Sequence, residues 1–283
     1  LFRSFIFKLK TKNDLIIEKE FLFKTKTLNL DIFNNHIIEK DKSTTGTNSI
    51  SFLNSIIDTK YKLIDKNFVF TSKNSKINNF KINYDGELSI NPFDLDLHIS
   101  LDNYKISKLF NFNSILVEFL KTGLLFNENI SLSILISANA NKQDKFFDNA
   151  KIYFNVLNGN INIDRTSFVN DDIGSLKLKN SSFFIQNNKL ILNTTLFFNV
   201  KDSDRLFSFL NTNKRLRKNI KSIIVNIDYD YQNDEIKFNN VKIDNKETSD
   251  KFMNIIDGFN DINLNNLIRS RRLLNELIGA YEG

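Results

Sequence analysis

The chain of 283 residues contains no cysteine and no tryptophan, one proline and eight glycines. Without cysteine there are no disulfides, thiolate metal sites or cysteine nucleophiles. The compartment stays open, because a thiol-free chain suits reducing and oxidising surroundings equally. No window approaches the roughly 18–20 consecutive apolar residues that span a bilayer, and no apolar signal-peptide core is found. Phosphate-binding glycine loops and zinc-type Cys/His spacings are also missing.

What is abundant is hydrophobic surface. At 41% hydrophobic residues the chain is too apolar to stay disordered and long enough to bury a substantial core. Lys and Arg total 39 against 33 acidic residues, a net charge of +6 that weakly favours acidic partners such as anionic lipid or nucleic acid. No Pro/Gly/Ser-rich linker divides the sequence. Phe5, Phe7 and Leu9 already alternate with Ser4, Ile6 and Lys8, so the natural start is expected upstream, together with any membrane anchor.

The dominant signal is period-two alternation, the mark of strands with one buried and one wet face. Leu95, Leu97, Ile99 and Leu101 stand against Asp94, Asp96, His98, Ser100 and Asp102. The same reading fits Leu88 and Ile90; Leu132, Ile134 and Ile136; Ile152, Phe154 and Val156; Ile161 and Ile163; Leu176 and Leu178. It continues through Leu190, Leu192, Leu196 and Phe198 to Ile223, Val225 and Ile227. Asn158-Gly159, Asn170-Asp171-Asp172 and Asn187-Asn188 separate strands as turn-formers, and Asp85-Gly86 is read as a further hairpin turn. The parity change at Asn239-Asn240 implies a turn or bulge, and Ser43–Asn48 a polar loop.

Helices are few. One is expected over Tyr104–Thr122, stopping at Gly123, and one behind Asp202/Ser203 with Leu206, Phe207, Phe209 and Leu210. Ser249 is read as the cap of Phe252–Phe259, and Asn263 or Asn265 as the cap of an amphipathic last helix with Leu267, Ile268, Leu274, Leu277 and Ile278 on one side.

About 14 strands with so few helices pose a physical question, because an apolar sheet face must be covered. A second sheet, closure into a barrel, or a lipid-like ligand in a curved groove would each serve. The bulky Phe, Ile and Leu of the apolar side and the scarcity of sandwich landmarks favour the groove. The fold expected is mostly β: a long curved antiparallel sheet of groove or open-barrel type over residues 1–245, followed by a helical segment at 246–283.

Gly86–Leu101, with its Gly-x-Leu opening and the run Pro92-Phe93-Asp94-Leu95-Asp96-Leu97, resembles hairpins of the AsmA-like family of bacterial envelope proteins, which includes TamB and YhdP. Phe147–Asp244 is similar to the C-terminal region of those proteins, through Asn158–Asp164, Gly174–Leu178 and the strand, short helix, basic segment and strand of Leu190–Tyr229. The resemblance implies a protein anchored in the inner membrane and lying in the periplasm, whose sheet forms a hydrophobic channel for phospholipid passing between the two membranes. No catalytic residues carry over.

The apolar residues of the alternating strands from Leu88 to Ile227 are therefore the expected groove lining, with phospholipid acyl chains as partners. Two basic clusters, Lys214, Arg215, Arg217 and Lys218, and Arg269, Arg271 and Arg272, are candidates for anionic headgroups, against the plainer reading of a solvated helix face. The aromatic residues lie on the apolar parity rather than among these cations, which argues against stacking on nucleic-acid bases. His36 and His98 are the only histidines. Asp94/Asp96 and Asp171/Asp172 belong to a wet face and a turn, so no acid–base pair, metal site or cofactor is expected. The reading is a non-enzymatic lipid carrier, possible further partners being other envelope proteins; the alternative is a structural or adhesive β protein without a ligand.

Overall fold

The computed structural model describes residues 4–12, 16–25, 29–38, 43–77, 80–106, 120–141, 147–233, 235–246, 250–258, 262–263 and 267–281. The chain is mostly β with short helices, as its alternation predicts. It divides into two compact units: Leu1–Tyr104 with Asn129–Lys142 (unit 1), and Lys105–Glu128 with Gln143–Gly283 (unit 2). The boundary expected at residue 245 is therefore corrected. The C-terminal helices belong to unit 2, because their apolar sides close on its sheet.

Unit 1 consists of β1 (Ser4–Lys12), β2 (Ile16–Thr25), β3 (Leu30–Ile38), β4 (Thr44–Phe52), β5 (Ser55–Ile64), β6 (Asn67–Ile77), β7 (Phe80–Ile90), β8 (Phe93–Tyr104) and β9 (Ile130–Ala140). From β1 to β8 each strand pairs antiparallel with the next. β8 and β9 are parallel, with Leu95 opposite Leu132 and Leu97 opposite Ile134. The sheet is thus not wholly antiparallel: after β8 the chain crosses through residues 105–128 of unit 2 and re-enters in the same direction.

Two glycines account for two corrections. β7 runs unbroken through Asp85-Gly86, and the segment read as a loop at Ser43–Asn48 enters β4 at Thr44. A Cβ at Gly86 would meet the Phe70 ring and the carbonyl of Asp96, and one at Gly46 would meet the Tyr61 ring. These glycines admit aromatic rings from the neighbouring strand; neither makes a turn. Gly86→Ala is accordingly expected to destabilise the protein by about 1–3 kcal/mol through overpacking, measurable by chemical denaturation followed by circular dichroism.

Unit 2 contains β10 (Asn149–Leu157), β11 (Asn160–Asn162), β12 (Ser167–Asn170), β13 (Gly174–Gln186), β14 (Lys189–Val200), α1 (Ser203–Leu210), a 3-10 turn at Lys214–Leu216, β15 (Ser222–Asp230), β16 (Glu235–Ile243), α2 (Asp250–Asp257), β17 (Ile262–Asn263) and α3 (Leu267–Ala280). Its strand pairings are antiparallel. Asn158-Gly159 and Asn187-Asn188 turn their hairpins with positive φ at all four residues, the backbone that tight two-residue hairpins require. The parity change at Asn239-Asn240 is a bulge, seen as a register shift against Asn226/Ile227. A second bulge at Lys179–Ser182 is held by the Asp164 carboxylate, which accepts from Ser181 N–H (2.8 Å) and its hydroxyl (2.7 Å).

α1 starts as expected, with Asp202 accepting from Arg205 N–H at 3.0 Å. The helix expected over Tyr104–Thr122 lies largely outside the described residues. Tyr104 itself is still in β8, while Leu120 and Lys121 form a last helical turn closed at Gly123 with φ 76. The expected caps Ser249 and Asn265 lie outside the described residues, and Asn263 ends β17.

Candidate functional site

In unit 1 the register assigns the paired strand residues to one of two faces, the residues at the register shifts apart. Leu95, Leu97, Ile99 and Leu101 align with Leu88, Gly86, Tyr84 and Ile82 on one side and with Leu132, Ile134, Ile136 and Ala138 on the other. The same face continues over Phe68 and Phe70, Tyr61 and Leu63, Ile50, Ile32, and Phe21 and Phe23. The unit-1 half of the expected lining is thus brought together. Among the described residues of this unit no helix covers it. Leu88, Leu95, Leu97, Ile99, Ile134 and Ile136 are half-buried, and Ile90 (71% exposed) and Phe52 (46%) stand open at the strand ends.

The opposite face carries Glu18, Glu20, Lys60, Lys62, Glu87, Asp94 and Asp96. His98 belongs to it, with Nδ1 3.5 Å from Asp85 and Nε2 3.5 Å from Asp96, all three exposed. Asp171 and Asp172 lie in the turn after β12, where their N–H groups donate to Asp148 (2.6 Å) and Asn170 (3.1 Å).

Unit 2 treats its apolar face differently. Phe154, Val156, Ile161, Leu178, Leu190, Leu192, Ile223 and Ile227 are buried. Ile152, Ile163, Leu176, Leu196, Phe198 and Val225 are half-buried. Ile223, together with Phe198 and Val225, packs against Leu206, Phe207 and Leu210 of α1, Ile256 of α2, and Leu273, Leu277 and Ile278 of α3. Between sheet and helices remains a void of about 30 Å³ lined by apolar residues, the size of one water and far below that of an acyl chain. The groove reading of Phe198, Ile223 and Val225 is therefore corrected to core. The apolar sides of α1 and α3, legible as amphipathic, are spent on this core.

The basic clusters divide between residues with partners inside the fold and residues at the surface. Arg217 Nε donates to Thr212 O at 3.2 Å, and Lys218 donates to Tyr281 O and lies over the Tyr281 ring. Arg271 stacks over Phe209 at 5.4 Å, and Arg272 pairs with Glu276 at 2.7 Å. Lys214 and Arg215 are exposed in the 3-10 turn, and the Arg269 side chain lies outside the described residues. Arg217 and Lys218 thus have partners within the fold, while Arg272, 73% exposed, keeps its pair with Glu276 at the surface.

Asp230, at the end of β15, illustrates the electrostatics of this unit. Burial acts to raise its pKa, but the Lys189 hydrogen bond at 2.9 Å and the N–H groups of Gln232 and Asn233 leave it below the ordinary value of 3.8. A depressed carboxyl contributes stability that is present above its unfolded pKa and is lost as pH falls through the folded value. Asp230→Asn should therefore flatten the loss of stability on acidification below about pH 4, measured as thermal midpoints from pH 6 to pH 2.

One band of the unit-1 face was not legible as a site. Lys19 sits opposite His36, and the next row runs Phe21, Asn34, Asn48, Thr59. Asn34 Nδ2 donates to the Tyr61 hydroxyl at 3.2 Å, Thr59 bonds Tyr84 at 2.5 Å, and the buried Ser72 and Ser75 hydroxyls bond each other at 2.7 Å. The band hydrogen-bonds within itself and crosses an otherwise apolar face.

No helix among the described residues is long and apolar enough to cross a membrane, and no group of three His, Cys, Asp or Glu among them could hold a metal ion. Comparison with protein-family models, curated proteins and solved structures finds no match.

Proposed function

We propose that this protein is a non-enzymatic lipid carrier of the bacterial envelope, holding phospholipid acyl chains on the apolar face of unit 1. The observation that carries the reading is the contrast between the units: the apolar side of β14–β16 packs against three helices, while the apolar face of unit 1 has no covering helix among its described residues. The sheet of unit 1 has nine strands among the described residues. At a spacing of about 4.8 Å they make a face roughly 38 Å wide, enough to lay down several hydrocarbon chains. An exposed apolar surface of this extent marks a binding surface rather than an ordinary solvated one.

The energetics fit a carrier. At about 0.8 kcal/mol per CH₂, exposing a 15-carbon chain to water costs about 12 kcal/mol, and an apolar face removes much of that barrier. The polar face keeps the sheet in solution. Residues toward unit 2 do not serve as lining in this reading, and the resemblance to the AsmA-like family supports a periplasmic setting with an anchor in the inner membrane.

Purification without detergent followed by lipid extraction and mass spectrometry tests the proposal. Phospholipid bound in at least equimolar amount is the expected result. A folded, lipid-free protein that takes up no phospholipid from vesicles would overturn it in favour of a structural role.

A further inference from the structure

The unit-1 face is almost uncharged. By register, no Asp or Glu of β1–β9 falls on it, although the other face is dense with them. Of the paired residues, a single lysine, Lys19, lies on it, directly opposite His36, the only histidine among them. A cation set between Leu9 and His36, with no carboxylate opposite it, is costly to keep dry, and random placement of 39 basic and 33 acidic residues would not produce this segregation.

The neighbours of this pair complete a cluster. Asn34 is two residues from His36 on β3 and therefore about 6.7 Å along the same face. Tyr61 lies over Gly46, the residue opposite His36 on β4, and its hydroxyl bonds Asn34. Lys19 on β2, His36 and Asn34 on β3 and Tyr61 on β5 thus bring an ammonium, an imidazole, an amide and a phenol together on three strands, with Gly46 of β4 between them and Phe21 and Phe70 alongside. Phosphate oxygens take hydrogen bonds from all four group types.

We propose that this cluster is the headgroup site of the lipid face: it binds the phosphate of an anionic phospholipid while the acyl chains lie on the adjoining apolar rows. This deepens the lipid-carrier reading and rests on it. His36 gives the site a pH response. Burial and the charge of Lys19 hold its pKa below the usual 6.5, so it is neutral at neutral pH. The ionisable groups facing it are Lys19 on β2 and Tyr61 on β5; β4 presents Gly46. Acidification therefore adds a second cation beside Lys19 and tightens the hold on phosphate.

The test uses the full chain with three soluble short-chain lipids, dihexanoyl phosphatidylglycerol, dihexanoyl phosphatidylcholine and dihexanoylglycerol, titrated by calorimetry below their micelle concentrations. Phosphatidylglycerol should bind about tenfold more tightly than the phosphate-free diacylglycerol. Lys19→Gln should abolish that preference while leaving diacylglycerol binding intact, Lys19→Arg should restore it, and Lys62→Gln on the opposite face should not affect it. Between pH 7.5 and pH 5.5 the phosphatidylglycerol affinity should rise in the parent and stay flat in His36→Gln. Equal binding of all three lipids, unchanged in Lys19→Gln, would overturn the headgroup site and leave the carrier intact. Failure of every lipid to bind would overturn both. Unchanged circular dichroism and thermal midpoints keep the variants comparable.

Discussion

Phe207→Ala is expected to destabilise unit 2 by about 3–5 kcal/mol, the ordinary range for truncating a buried phenylalanine. Phe207 is 1% exposed, on the inner side of α1. Around it Leu206, Leu210, Ile220, Ile223 and Ile278 form one cluster drawn from two helices, the loop before β15 and the sheet. Removal of the ring cannot be relieved by one neighbour moving in, because those neighbours are fixed by strand pairing and by the α1 cap. A typical domain is stable by about 5–15 kcal/mol, so the loss is a large share of the total. Hydrogen exchange read by mass spectrometry should show it as lost protection across β14–β16. Protection there equal to the parent would mean that α1 does not close this sheet.

The second large effect is on binding. Leu97→Asp places a carboxylate on the unit-1 face, midway along β8, opposite Gly86 and Ile134. Leu97 is half-buried rather than enclosed, so its replacement can remain solvated and the fold should survive with a loss of about 1–2 kcal/mol. An acyl chain laid across it must instead desolvate a charge. That should cost about 2–4 kcal/mol of lipid affinity, roughly 30-fold or more. Ile227→Asp in unit 2 is the contrast: this residue is 7% exposed, and the variant should unfold that unit. If Leu97→Asp unfolds as readily as Ile227→Asp, the unit-1 face is a covered core and the carrier proposal fails.

Strand identity was legible because alternation is local. Leu95 to Leu101 needs nothing beyond its own sequence, and neither does the αL turn at Asn187-Asn188. The errors arose where a local symbol had a non-local cause. Gly86 looked like a turn, yet Ile82, Tyr84, Leu88 and Ile90 keep one parity across it, which is the signature of an unbroken strand. Its lack of a side chain answers to Phe70 on another strand. The amphipathic α1 and α3 announced that they cover something, but their own residues could not say that it was Ile223 and Val241 rather than a membrane. The Lys19–His36 pair was hidden in the same way: the two residues are distant in sequence and meet through the β2–β3 register, so His36 alone carried no message.

The parallel pairing of β8 with β9 has a consequence for synthesis. The chain passes between the units three times, after Tyr104, after Glu128 and after Lys142. Unit 1 therefore cannot be completed on a ribosome until β9 has emerged, and residues 105–128, which include Leu120 and Leu125, both buried in the folded chain, are released well before the rest of unit 2. At about 5–20 residues per second, roughly 5–25 seconds separate the synthesis of those leucines from that of β16. During that interval a nascent apolar segment depends on whatever holds it apart from its neighbours, and a cut of the gene after β8 would release neither unit whole.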